Sequence, residues 1–276
     1  MLAGKRIFFL GAGAISEAII KGLLETEAVT PDQIVICNRQ NAARLAELHG
    51  HYGVTVTADR HADIAAADVV LLTVKPFDVA TALDQSGSAI DPRHLLISVA
   101  AGVTTPTIER RLAAATPVVR AMPNTSSFVQ ASATALCPGT WADDGHLGLA
   151  RQLFAAIGTV TTVEESAMDA VTGLAGSGPA YIYYVVEGLL EGGIAAGLDE
   201  TTCRELLLQT VAGAAKMLHT TGQPPAELRR QVTSPNGTTM AGIGILDDGA
   251  VKESFRRAVL RATARAAEMG RATSDG

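Results

Sequence analysis

The sequence is short of cysteine, of aromatic residues, of clustered positive charge and of long apolar runs, and each shortage excludes something. Three cysteines in 276 residues, Cys37, Cys137 and Cys203, stand too far apart for a disulfide framework or a zinc-ligand spacing. They fit a reduced, cytoplasmic compartment. No apolar stretch reaches the roughly 18 residues of a membrane span. The stretch 7–20 carries two glycines and Glu17 and reads as structure, not as a secretory segment. A formal net charge of −6 and the lack of any run of Lys and Arg argue against a nucleic-acid surface, which must neutralise phosphates. Aromatic residues make up only 4% of the chain, so Ala, Val, Leu and Ile must build the core. With 47% hydrophobic residues the chain is a folded protein of one large domain or two modest ones, not a disordered one.

What is present is an alternation. Short apolar runs at 7–10, 34–37, 54–56, 69–74, 95–99 and 118–121 are separated by helical stretches such as 16–24 and 41–48. Continuous Val/Ile/Leu runs mean strands buried on both faces, and strands alternating with helices mean βαβ units and a parallel sheet. Two more strands are expected at 133–136 and 160–163. Beyond about residue 165 the strand-like runs stop. The stretches 181–198, 201–218 and 251–269 read as helices with apolar residues around most of their circumference and many Gly and Ala among them. Such helices are buried on several sides. In a chain of this length that implies a second copy of itself, with a monomeric Ala-rich bundle as the alternative. The expected organisation is an α/β dinucleotide-binding domain over 1–165 and an all-α dimerisation domain over 166–276.

The turn after the first strand reads Gly11-Ala12-Gly13-Ala14-Ile15-Ser16. Glycine at the first position permits a tight turn. At the second it lets backbone approach a pyrophosphate seated on the following helix N-terminus. Ser16 stands where Gly or Ala is usual. After the second strand comes Cys37-Asn38-Arg39-Gln40, with no carboxylate for ribose hydroxyls. Arg39 suits a 2′-phosphate and the adenine face, which predicts NADPH over NADH; the plain alternative is a solvated arginine. Val74-Lys75-Pro76 and Ala100-Ala101-Gly102 follow the fourth and fifth strands, whose C-terminal ends face a cofactor in this architecture.

Three further polar segments follow apolar elements: Met122-Pro123-Asn124-Thr125, Gly176-Ser177-Gly178-Pro179-Ala180-Tyr181 and Ser234-Pro235-Asn236-Gly237-Thr238-Thr239. The last two open helices, whose orphan N–H groups and dipole suit a carboxylate. Capping alone is the alternative for either.

Together with the glycine turn, Asn38-Arg39 and Val74-Lys75-Pro76, these segments resemble pyrroline-5-carboxylate reductases over nearly the whole chain; Phe255-Arg256-Arg257-Ala258-Val259 is similar too. The resemblance implies a Rossmann-like domain followed by a helical dimerisation domain, and NADPH-dependent reduction of 1-pyrroline-5-carboxylate to L-proline. It implies cofactor contacts from Gly11, Gly13, Ala14 and Ile15, then from Asn38, Arg39, Arg60, Val74, Lys75 and Pro76. It adds Ala100, Gly102, Met122, Pro123 and Asn124 to that set. Substrate contacts fall on Ser177, Ser234, Asn236, Gly237, Thr238 and Thr239, with Thr239 as the catalytic hydroxyl on the imine nitrogen. The N–H groups of Gly237 and Thr238 hold the substrate carboxylate. The resemblance implies a homodimer as the active unit, which in many relatives builds a pentamer of dimers. No metal, nucleic acid or membrane takes part. The six histidines lie outside the substrate segments, as expected when the cofactor carries the hard chemistry.

The chain departs from the family at Ile15 for Met, Asn236 for Gly, Gly188 for Ala and Arg60 for Asn. Arg60 adds a second cation near a 2′-phosphate. Asn tolerates the left-handed backbone a glycine would adopt. A related cyclic imine acid as substrate and a non-catalytic NADP-binding sensor are the alternatives. A β-hydroxyacid dehydrogenase needs a lysine after its glycine-rich helix start, and beyond Lys75 only Lys216 and Lys252 remain.

Overall fold

The apolar runs of the first half become strands. In the computed structural model, which describes residues 2–113 and 115–274, the strands are Ile7–Leu10 (β1), Ile34–Cys37 (β2), Thr55–Val56 (β3), Val69–Leu72 (β4), Leu95–Ser98 (β5), Val118–Met122 (β6), Ser132–Pro138 (β7) and Gly158–Thr162 (β8). They form one sheet in the order β3-β2-β1-β4-β5-β6-β7-β8. Every neighbouring pair is parallel except β6 and β7, which run antiparallel with Ala121 opposite Leu136. Only a 3-10 turn, Thr125–Val129, joins those two strands, too short for the crossover a parallel pair needs.

The helices of this part are Ala14–Glu25 (α1), Ala42–Tyr52 (α2), Arg60–Ala65 (α3), Val79–Ser86 (α4), Thr105–Glu109 (α5), Asp144–Ala155 (α6) and Met168–Val171 (α7). Successive strand residues bury on opposite sides of the sheet. Ile7, Phe9, Ile34 and Ile36 pack with Ile19 and Leu23 of α1 and Phe154 of α6. Phe8, Leu10, Val35 and Val70 pack with Ile64 of α3 and Leu83 of α4. Each such side chain contributes about 1.5–3 kcal/mol by leaving water. The strand order reverses between β1 and β4, so a crevice opens at their C-terminal ends, where doubly wound sheets bind ligands.

The chain divides into two compact units, one running through Ser177 and including the chain from Leu260 on, the other Gly178–Val259. The first extends past the 165/166 boundary read from the sequence. Met168 and Val171 of α7 still pack with Ala135 and Cys137 of β7, which holds this segment to the sheet.

The second unit holds Gly178–Ala195 (α8), Glu200–Thr221 (α9), Pro225–Gln231 (α10), Thr238–Asp248 (α11) and the start of Val251–Ser274 (α12). Asp199 caps α9 by accepting from the Thr202 N–H at 3.0 Å. At Gly193 a Cβ would lie 2.3 Å from Cys203 Sγ, so only glycine lets α8 and α9 approach this closely. These helices leave apolar side chains uncovered: Ile182, Tyr184 and Leu189 on α8, Leu206 and Leu208 on α9, Ile245 on α11. Tyr184 is 75% exposed and Ile245 72%, the mark of a surface that another chain covers.

Candidate active site

The glycine turn between β1 and α1 is held from behind. Gly11 has φ +128°, and its N–H donates to the Cys37 carbonyl at 3.1 Å. The Ser16 hydroxyl lies 2.9 Å from both the Gly11 carbonyl and the Thr73 hydroxyl. Thr73 Oγ1 in turn donates to the Gly11 carbonyl at 3.1 Å. Arg44 Nε donates to the Ala12 carbonyl at 3.3 Å, and its guanidinium is paired with Glu17 of α1. The carbonyls of the turn therefore point into the protein. Ser16, which replaces the small residue usual at the third position, is buried and serves this inward network.

The opposite side is open. No side chain caps α1, so the N–H groups of its first turn face the crevice. A Cβ on Gly13, the N-cap residue, would meet nothing within 4 Å. A helix N-terminus with bare backbone before it is the setting that dinucleotide phosphates require, so the residues present fit such a cofactor.

Two adjoining clefts, of about 300 and 370 Å³, share Gly13, Thr73, Val74 and Lys75. The first takes in Gly11, Asn38, Arg39, Arg60, Asp78 and Gln85. Asn38 is set by its own loop, its Oδ1 accepting from the Asn41 N–H at 2.9 Å. Arg39 Nη1 lies 3.1 Å from Asp78 Oδ1, and Arg60 Nη1 donates to Gln85 Oε1 at 3.3 Å. Burial pushes the Cys37 thiol up, with the Arg60 charge opposing it, so Cys37 offers no thiolate here. The sequence reading assigns no role to Thr73, Asp78 or Gln85. They carry no motif, and their only signal is a place just beyond β4.

The second cleft takes in Ala14, Ile15, Pro76, Ala100, Met122 and Pro123, with Asn124 and Gly176 at its side. Asn124 Nδ2 donates to the Ala175 carbonyl at 3.1 Å, and its side chain accepts from the Ser126 N–H at 3.0 Å. These bonds fix its amide between β6 and the π-helical turn Thr172–Gly176. Ser177 closes that turn by donating its N–H to the Thr172 carbonyl at 2.9 Å. Gly102 lies elsewhere, lining neither cleft. It has φ +77°, and a Cβ there would sit 3.1 Å from the Gly270 nitrogen, so its bare backbone permits close packing against α12.

In the second unit, 234–239 form the turn into α11. Asn236 has φ +59°, the left-handed conformation expected for it. Gly237 departs from expectation in one respect. Its N–H already donates to the Ser234 carbonyl at 3.0 Å, so it shapes the turn and is not a donor for a carboxylate. A Cβ on Gly237 would fall 2.4 Å from Ser234 Oγ and 3.1 Å from the Ser234 carbonyl oxygen, so a larger residue there would make the serine hydroxyl turn away. No side chain caps α11, so the N–H groups of Thr238 and Thr239 are its leading donors. Thr239 is half-buried and Thr238 exposed. Among the described residues no group of three or more His, Cys, Asp and Glu is arranged to hold a metal, and no helix is long and apolar enough to cross a membrane.

A family model described as pyrroline-5-carboxylate reductase dimerisation matches residues 165–269. One described as NADP oxidoreductase, coenzyme F420-dependent, matches 6–102. Pyrroline-5-carboxylate reductase 1 of Bacillus spizizenii is 42% identical over 265 residues, spanning 96% of this chain and 89% of that one. The chain belongs to the pyrroline-5-carboxylate reductase family. The Methanosarcina acetivorans reductase is 38% identical over 270 residues, with 98% and 100% coverage. The solved structure of a pyrroline-5-carboxylate reductase from Coxiella burnetii matches with a TM-score of 0.89 at 38% identity, covering 96% and 98%. Membership gives the uncovered faces of α8, α9 and α11 their place: they lie in the family's dimerisation region. The stretch 6–102 matched by the NADP oxidoreductase model includes every residue that lines the first cleft.

Proposed function

We propose that the protein, as a homodimer in the cytoplasm, reduces 1-pyrroline-5-carboxylate to L-proline with NADPH. Family membership and the uncapped, glycine-led N-terminus of α1 carry this reading. When bound, the cofactor supplies a hydride equivalent to the carbon of the C=N bond. The first turn of α1 and the bare backbone at Gly13 receive its pyrophosphate. Arg39 and Arg60 receive the 2′-phosphate, which is the basis for preferring NADPH to NADH. Ala100, Met122 and the fixed amide of Asn124 bound the nicotinamide end.

The N–H groups of Thr238 and Thr239, with the dipole of α11, hold the substrate carboxylate. The Thr239 hydroxyl hydrogen-bonds the ring nitrogen, which takes its proton from water to form the iminium whose carbon then accepts the hydride. A cyclic iminium needs little further acid, so the reaction asks for positioning and a polar clamp more than for a strong general acid.

The test is to follow NADPH absorbance with pyrroline-5-carboxylate, with its six-membered homologue, and with a hydroxyacid plus NADP⁺. Rapid oxidation with the first, accompanied by proline, is expected, with slow or no change in the others. No turnover with any imine would overturn the assignment. Thr239→Val should lower kcat/KM by about 5- to 150-fold, equivalent to about 1–3 kcal/mol for one lost hydrogen bond to a reacting group. Unaltered kcat and KM would remove Thr239 from the chemistry.

A further inference from the structure

We infer that Asp78 limits the enzyme's preference for NADPH over NADH, because its carboxylate competes with the 2′-phosphate for Arg39. The inference rests on the reading that Arg39 receives that phosphate. Four charged side chains among the described residues line the adenosine-end cleft: Arg39, Arg60, Lys75 and Asp78. Only one of them is an anion. It sits against Arg39, with Asp78 Oδ1 3.1 Å from Arg39 Nη1. Arg60 has a neutral partner instead, the Gln85 amide oxygen at 3.3 Å. The two guanidiniums therefore differ: among the described residues Arg39 has a carboxylate partner and Arg60 has none.

The local backbone explains why the carboxylate is available. Asp78 ends the 3-10 turn Pro76–Asp78, and its N–H donates to the Lys75 carbonyl at 2.9 Å. It is the N-cap of α4, a position where Asp usually accepts from its own helix. Here its φ and ψ, −94° and −7°, are already helical, and the side chain makes no capping bond. It reaches across to Arg39 instead. The Asp78 side chain is 28% exposed and that of Arg39 58%, so water screens the pair in part and a dianionic phosphate can displace it. Displacement leaves the carboxylate facing the phosphate. NADH, with a hydroxyl in that place, meets no such repulsion.

The experiment is calorimetric titration of the full-length enzyme with NADP⁺ and NAD⁺, comparing the ratio of their dissociation constants. Asp78→Asn keeps the shape and an acceptor for Arg39 but removes the charge. It should raise the NADP⁺ preference about three- to tenfold at about 20 mM salt, with a smaller gain at about 500 mM. Asp78→Glu, which keeps the charge, should leave the ratio within about twofold of the parent. Arg39→Met should collapse it. Thermal melting of each variant without cofactor establishes that it folds, and Asp78→Ser replaces Asp78→Asn if that variant does not. An Asp78→Asn ratio equal to or below the parent's, with Arg39→Met still collapsing it, overturns the role of Asp78 and leaves the phosphate reading intact. A ratio unmoved by Arg39→Met overturns that reading and the inference with it.

Discussion

Arg120→Met is expected to lower the unfolding free energy by about 3–5 kcal/mol, the usual consequence of removing one partner of a buried ion pair. Arg120 sits in β6 with its side chain 2% exposed, paired closely with Glu165, whose side chain is 28% exposed. Glu165 also accepts from the Thr105 N–H at 3.1 Å and the Thr105 hydroxyl at 2.9 Å. Cys137 Sγ lies 3.7 Å from the same carboxylate. Burial, and then the Glu165 charge, push that thiol up to about 12, so it stays neutral and adds no second negative charge beside Glu165. Asp169 lies 3.9 Å from Arg120 Nη2. Without Arg120, two carboxylates beside this pocket lose their common cation. Urea denaturation at neutral pH measures the loss. A change under about 1 kcal/mol would mean that water reaches Glu165 freely and that the pair acts as a surface bridge. The cluster also bears on the site. The segment from Glu165 leads through α7 to the turn Thr172–Gly176, whose Gly176 borders the second cleft. Weakened cofactor binding should accompany the lost stability.

How much of this was legible in the sequence varies with the reach of the interaction. β1 and β2 begin and end at the residues read from the apolar runs 7–10 and 34–37, because a strand buried on both faces has no polar residue to blur its ends. The direction of β7 was not legible. Parallel and antiparallel strands carry the same composition, and only the short turn before it decides. Helix α6 was missed, although Asp143 caps it through the His146 N–H, because its apolar residues are spread among polar ones. In the candidate site, the glycine turn and the strand ends that border the clefts are readable from local spacing. The crowding at Gly102 is not, because the chain that packs on it, at Gly270, lies near the other end of the sequence. Asp78 was missed for the same physical reason: its meaning comes from Arg39, which the fold alone brings to it.

Gly11→Ala should cost about 2–4 kcal/mol of stability and weaken NADP⁺ binding at least about tenfold, whereas Gly13→Ala should affect binding alone. At Gly11 the backbone has φ +128°, and a Cβ would lie 2.7 Å from Thr73 Oγ1 and 2.8 Å from the Thr73 carbonyl carbon. The hydroxyl can turn away, but the backbone carbon cannot. The Thr73 N–H donates to the Leu10 carbonyl at 3.0 Å and the Gly11 N–H to the Cys37 carbonyl at 3.1 Å. Relief of the clash would therefore pull β1 from β4 or from β2, and would release the Gly11 carbonyl that Ser16 and Thr73 hold inward. Gly13 is the opposite case. Its φ of −81° is ordinary for any residue, and its missing Cβ faces open space. Alanine there fits the apo fold within about 0.5 kcal/mol, but its methyl occupies the ground over which a pyrophosphate must approach the α1 N–H groups. Urea denaturation and calorimetric titration with NADP⁺ separate the two variants. Parent-like stability in Gly11→Ala would show that the strands yield at no cost. Parent-like affinity in Gly13→Ala would move the pyrophosphate away from α1.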